Sequence, residues 1–280
     1  MRVSKAAKFV PNTNRFRKLK NAIVKKIAIF LFILFIFSYP SSNEPAGLYK
    51  KGTAFSLTAK WWNLSADGTM KVIGNTKCLG KNAVIIRSQV TEMGGFLGFI
   101  VKFLRIYKES NTFDSYIEAD TLLPLRYEVY KLKKDGSKKL NEHVYFDRES
   151  RQILSADDGS VVISNAEPDA MDTFSAFLYL VNKFSSEKLF VGKKIAINLY
   201  AYKKISKVEI DVVGHQIRQG KSIYSLEIRD LPEIFKYPAS VSFDIVDEKG
   251  YKLPTNGRCI IDVPVIGDIT INGDLKRKIG

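Results

Sequence analysis

The 280-residue sequence holds two cysteines, two histidines and two tryptophans, and each scarcity excludes something. Two imidazoles, His143 and His215, cannot build a multi-histidine metal centre, and neither Cys78 nor Cys259 has a second Cys or a His at ligand spacing. No metal site and no cofactor are therefore expected. Gly-x-Ser-x-Gly, Gly-x-x-x-x-Gly-Lys-Ser/Thr, Gly-x-Gly-x-x-Gly and His-Glu-x-x-His are all missing, so no catalytic residue is assigned. The longest uncharged apolar run, Ile27 to Tyr39, is shorter than the roughly 20 residues of a full membrane span. Acidic residues are absent from the first 26 positions, which hold nine Lys or Arg. Without those nine, 35 basic groups face 29 acidic ones, so most of the net charge of +15 belongs to the N-terminus. No nucleic-acid partner is expected from a basic bias so confined.

Basic residues followed by a short apolar run that closes at Pro40 have the layout of a secretory signal peptide. No Ala-x-Ala site follows, so an uncleaved anchor in the inner membrane is the alternative; no Cys follows either, which argues against a lipoprotein. Both readings leave Lys25 and Lys26 on the cytoplasmic side and deliver the rest to the periplasm or cell envelope. The expected organisation is a basic region with signal peptide or anchor over 1–42, a Ser/Pro/Gly linker over 43–52 and a β domain over 53–276. An exported compartment lets Cys78 and Cys259 pair as a disulfide, and two separate buried thiols are equally compatible with the sequence.

From Thr53 onward, short alternating stretches rich in β-branched and aromatic residues recur every eight to twelve residues between turn signals. That spacing predicts a curved antiparallel sheet, as a barrel or sandwich, and no strand–helix–strand alternation suggests a parallel one. Asp67-Gly68, Lys134-Asp135-Gly136 and Asp157-Asp158-Gly159 are the expected turns. Leu125, Tyr127, Val129 and Lys131 should share one side of a strand. The segment from Phe96 to Leu104 is apolar enough for a short helix or a buried strand.

One stretch breaks the pattern. Phe174, Phe177, Leu178, Val181 and Phe184 recur at three- and four-residue steps, which predicts a helix over Asp172 to Phe184 with Lys183 to Leu189 as a loop. Tyr179 and Leu180 widen its apolar face until it suits a helix enclosed by other elements. Asp169 or Asp172 is placed to cap its start.

Several local patterns then accumulate in order: Asp120-Thr-Leu-Leu-Pro-Leu-Arg-Tyr-Glu128, Val144-Tyr-Phe-Asp147, Asp172-Thr-Phe-Ser-Ala-Phe-Leu-Tyr-Leu180, Val191-Gly192-Lys193, Phe243-Asp-Ile-Val-Asp247, Lys252-Leu-Pro254 and Val263-Pro-Val-Ile-Gly-Asp-Ile-Thr270. Over about Ala54 to Leu275 the chain resembles the DUF3108 family of exported bacterial proteins. The resemblance implies an incomplete β-barrel wrapped around one central helix, similar in shape to lipoprotein carriers of the envelope. It carries over no catalytic residue.

Three functions are compatible with these features. The first is a carrier whose sheet holds an apolar or lipid-like ligand, with Trp61, Trp62, Phe96, Phe99, Phe103 and Phe177 as the lining residues. The second is an interaction module with a filled core and no ligand, in which the same side chains are packing. The third is a hydrolase using dispersed carboxylates, which requires a pair, or a carboxylate with His143 or His215, to face each other in a cleft. Asp157-Asp158-Gly159 and Asp244/Asp247 lack the remaining ligands of a calcium loop.

Overall fold

Alternation of apolar and polar residues along strands joined by tight turns leaves one face of a sheet dry, and such a sheet must curl or find a cover. Both happen in the computed structural model, which describes residues 51–61, 64–94, 111–132, 137–201, 203–229, 239–248, 251–263 and 267–278. Fifteen strands form one continuous sheet in the order β8-β7-β6-β5-β4-β3-β2-β1-β15-β14-β13-β12-β11-β10-β9. The first half is β1 (Ala54–Trp61), β2 (Leu64–Cys78), β3 (Lys81–Gly94), β4 (Asn111–Glu118), β5 (Pro124–Leu132), β6 (Lys138–Asp147), β7 (Gln152–Ser155) and β8 (Val161–Ser164). After β9 (Ala170–Met171) and the helix α1 (Thr173–Ser186) come β10 (Lys194–Ala201), β11 (Lys204–Arg218), β12 (Lys221–Arg229), β13 (Ala239–Glu248), β14 (Tyr251–Val263) and β15 (Gly267–Lys278).

Each half is a meander, and the two join where β1 pairs antiparallel with β15, Phe55 opposite Arg277. The sheet curls without closing: among the described residues β8 and β9 are its edges, and β9 makes the one parallel pairing, Asn198 with Ala170. The fold is thus an incomplete barrel around the one helix of the described residues, as the family resemblance implies.

Bulges supply the curl, because an extra residue bends its strand and sharpens the twist. In β2 the register shifts between Val72 and Gly74, where Gly74 has φ +152°, a value L side chains rarely adopt. Asp67-Gly68 is not the expected turn but another shift inside β2, because the β1–β2 ladder runs on to Trp61 opposite Leu64. A shift between Tyr116 and Ile117 also moves Leu125 away from its expected companions. Tyr127 and Val129 join the main core, whereas Leu125 packs with Cys78 and Ala83 in a small separate cluster.

Helix α1 occupies the concave side. Phe174, Phe177, Leu178, Leu180, Val181 and Phe184 are each at most 1% exposed. Phe177 meets Phe55 edge-on at 5.9 Å, and Phe174 meets Phe113 at 6.3 Å. Burying side chains of this size is worth about 1.5–3 kcal/mol each, so α1 is the largest single contributor to the core. It outruns the predicted end, reaching Ser186 where a loop was expected, because Lys183 continues the turn and bonds Glu187 at 2.9 Å.

Candidate functional site

Both helix ends are tied to the sheet by polar groups. Asp172, not Asp169, is the N-cap: its Oδ1 accepts from the amides of Phe174 at 2.8 Å and Ser175 at 3.1 Å. Its Oδ2 accepts from the Ser115 hydroxyl on β4 at 2.6 Å. Enclosure on all sides pushes the Asp172 carboxyl up to about 6, against the pull of those donors. Asp169 instead accepts from Asn198 of β10. At the other end, Lys252 Nζ donates to the Glu187 carbonyl at 2.6 Å and Lys193 Nζ to that of Lys188 at 3.0 Å, cations where the helix dipole favours them.

Of the expected ligand-lining residues, Phe177 is core. Trp62, Phe96, Phe99 and Phe103 lie outside the described residues, as does the whole apolar segment Phe96 to Leu104, and so does the side chain of Trp61 on β1. Cys78 and Cys259 are both free thiols, so the disulfide alternative gives way to that of two separate buried thiols. Bulges and alternation send them to different clusters: Cys78 joins Ala83 and Leu125, whereas Cys259 sits in the main core. Burial pushes the Cys259 thiol up to about 12, which leaves it an inert packing group.

The outer face of β3–β6 carries a row of charges that sequence reasoning missed. Arg87, Asp114, Glu128 and His143 stand directly opposite one another on successive strands. Arg87 grips Asp114 with two bonds, Nε to Oδ1 at 2.7 Å and a terminal nitrogen to Oδ2 at 2.6 Å. Glu128, 1% exposed, takes the Arg126 guanidinium on Oε1 and the Tyr130 hydroxyl on Oε2 at 2.7 Å. Arg126 lies over the Tyr116 ring at 4.8 Å and near that of Tyr145 at 5.8 Å. His143 Nε2 is 3.3 Å from Glu128 Oε1 but out of line for a hydrogen bond, and its Nδ1 is 3.3 Å from Asp157 Oδ1. The expected turn Lys134-Asp135-Gly136 lies outside the described residues, and a register shift between Val129 and Tyr130 means that equal counting from it does not pair Glu128 with His143.

A histidine between two carboxylates is the arrangement the hydrolase reading asked for, yet Glu128 is sealed beneath its partners. Neither described cleft is lined by Glu128, His143 or Asp157. His215 is exposed and stacks on Tyr224 at 4.6 Å, away from any carboxylate contact of this row. The row does the work of cross-strand pairs, fixing register and satisfying charges that the strands bury.

The larger cleft, about 730 Å³, lies where bulges in β11 and β13 bend the sheet. Thr58, Ser225, Glu227, Asp244, Asn256 and Arg258 line it together with Val213, Leu226 and Phe243, so its surface is mixed, and Ser225 donates to Asp244 Oδ1 at 2.8 Å. Such a surface presents amide, hydroxyl, carboxylate and guanidinium groups beside apolar ones, the mixture found where protein surfaces meet.

A largely antiparallel sheet, curled but open around one buried helix and bearing a cleft of mixed lining outside, defines a β-barrel-like class of domain. Within that class the chain belongs to the family described as protein of unknown function (DUF3108), whose model matches residues 54–254. No curated protein matches it. Among solved structures it is similar to a β-barrel-like protein of the DUF1849 domain from Brucella abortus, at 10% identity over 82% of this chain and 99% of that one, with a TM-score of 0.41. A putative lipoprotein from Parabacteroides distasonis follows at 7% identity, 82% and 96% coverage and a TM-score of 0.24. The MucA/MucB complex of Pseudomonas aeruginosa follows at 8% identity, 84% and 92% coverage and a TM-score of 0.16.

Proposed function

We propose that the chain is an exported module of the bacterial cell envelope that binds a partner on its outer surface and carries no cargo inside. The observation behind this reading is the filling of the concave side by α1, whose six apolar anchors are at most 1% exposed. A carrier for an acyl chain needs a cleft of a few hundred Å³ lined by apolar groups. The large cleft among the described residues faces outward instead, and its lining mixes polar groups with Val213, Leu226 and Phe243. Its carboxylates Glu227 and Asp244 and the Arg258 guanidinium suit a partner that offers hydrogen bonds and charge. The basic region and the apolar run Ile27 to Tyr39 support export, ending in the periplasm or at the inner membrane.

Organic extraction of the purified chain, followed by mass spectrometry of the extract, tests the reading. Only traces of phospholipid and fatty acid, far below one per chain, are expected. A single acyl species at one per chain would overturn it in favour of the lipid carrier, with Trp61, Trp62, Phe96, Phe99 and Phe103 as the residues to substitute first.

A further inference from the structure

Four of the five large apolar side chains most exposed among the described residues belong to loops or a strand end at one rim of the sheet: Leu79 (58%), Phe190 (56%), Val191 (55%) and, at the end of β11, Ile217 (72%). The antiparallel ladders set the rim's membership. The start of β1, the β2–β3 and β11–β12 turns, the start of β14 and the loop between α1 and β10 all come to the same end. A continuous row of partners, Ile217–Ser222–Asp247–Lys252, crosses four strands there. Lys252 in turn bonds the carbonyl of Glu187, three residues before Phe190. The β11–β12 tip and the Phe190-Val191 loop are therefore neighbours on one arc.

The arc is also basic. Lys188, Lys194, Arg218 and Lys221 are exposed on it, and Lys193 lies 6.0 Å from the centre of the Phe190 ring. Of its carboxylates, Glu187 is taken by Lys183 at 2.9 Å and Lys193 at 2.7 Å, and Asp247 stands opposite Lys252. Apolar tips with a fringe of long cationic side chains fit the boundary between phospholipid headgroups and acyl chains. In the β2–β3 turn, Leu79 holds φ +50° ahead of Gly80 at φ +78°, a conformation that favours Asn or Asp at the first position. An apolar residue kept there at a conformational cost adds to the pattern.

We propose that this rim docks on an anionic phospholipid bilayer, with Phe190, Val191 and Ile217 seated at the headgroup boundary. The inference rests on the export reading above, and the sequence ahead of the fold supports it. The chain enters β1 at this same rim, and only the eleven residues 40–50 separate the run Ile27 to Tyr39 from Lys51. Fully extended, they span about 40 Å at most, so an uncleaved segment holds the rim within one domain's width of the membrane.

The test reconstitutes the full chain into vesicles of phosphatidylethanolamine and phosphatidylglycerol whose acyl chains carry bromine, a short-range quencher of tryptophan. Phe190→Trp, Ile217→Trp and, at the opposite rim, Lys204→Trp are each compared with the parent chain to subtract Trp61 and Trp62. The added emission from Phe190→Trp and Ile217→Trp should shift to the blue and be largely lost, whereas that from Lys204→Trp should stay. Lys188→Glu with Lys194→Glu, or phosphatidylcholine vesicles, should restore it in part. Two reporters on separate loops guard against one variant misfolding. An anchored chain whose three reporters all keep their emission refutes the docking and leaves the export reading standing. A chain that does not associate with the vesicles at all removes both. A blue shift that persists without vesicles, together with a doubled mass, replaces the bilayer with a second copy of the chain.

Discussion

Replacing Asp172 by Asn probes the joint between helix and sheet, and its effect can be worked from the geometry. Asn keeps the shape and can still accept from the amides of Phe174 and Ser175, while the Ser115 hydroxyl turns to accept from the new amide. What disappears is a buried charge. The Asp172 carboxyl sits at about 6 in the fold against 3.8 for a free aspartate, so the folded state holds its proton more tightly than the unfolded chain does. The stabilisation from that proton is complete below pH 3.8 and is lost as pH rises through about 6. Two units correspond to about 3 kcal/mol.

Other carboxylates slope the opposite way. Glu118, held by Thr121 and Lys81, and Asp147, held by Ser150, lie below their usual values and lose stabilisation as pH falls. The quantity to measure is therefore the difference between Asp172→Asn and the parent in urea unfolding followed by circular dichroism. It should grow in favour of Asn by about 2.5 kcal/mol between pH 4 and pH 8. Asp172→Ala removes the cap and strands the Ser115 hydroxyl, and should cost about 2–4 kcal/mol throughout. A difference curve for Asn that is flat from pH 4 to pH 8 refutes the reasoning.

Two further substitutions separate the core from the rim. Phe177→Ala should lower unfolding stability by about 3–5 kcal/mol, because the ring is fully enclosed and packed edge-on against Phe55; a loss below about 1 kcal/mol would show that the site is not packed. Leu79→Asn should raise stability by about 1 kcal/mol, since Asn tolerates the left-handed turn that Leu79 now holds; a loss of stability would mean that Leu79 is packed.

The sequence carried the helix because a 3.6-residue apolar period is a local property, and it carried the sheet because alternation and turns are local too. Which strand neighbours which is less local. The meander follows from short turns, but the β1–β15 closure joins residues such as Phe55 and Arg277, and no local pattern announces it. Bulges erase information of the same kind. Leu125 reads as a core partner of Tyr127 until the shift at Tyr116/Ile117 moves it to the Cys78 cluster. The charged row was not legible, because the pairing of Glu128 with His143 depends on the register shift between Val129 and Tyr130, and Arg87 and Asp114 meet across the segment from Phe96 to Leu104, where periodicity could not choose between helix and strand. Individual polar residues gave no hint of the outer cleft, whose lining comes from six strands.

Amide hydrogen exchange on α1 most directly tests the claim that the helix is the permanent filling of the sheet. The account predicts that the amides of Phe177, Leu178 and Val181 exchange only through global unfolding, with protection equal to that of central strand residues such as Ile86 and Ile210. Exchange of those helix amides through a low-energy opening, while Ile86 and Ile210 stay protected, would contradict it. The helix would then be a plug that leaves, and the concave side a place for cargo.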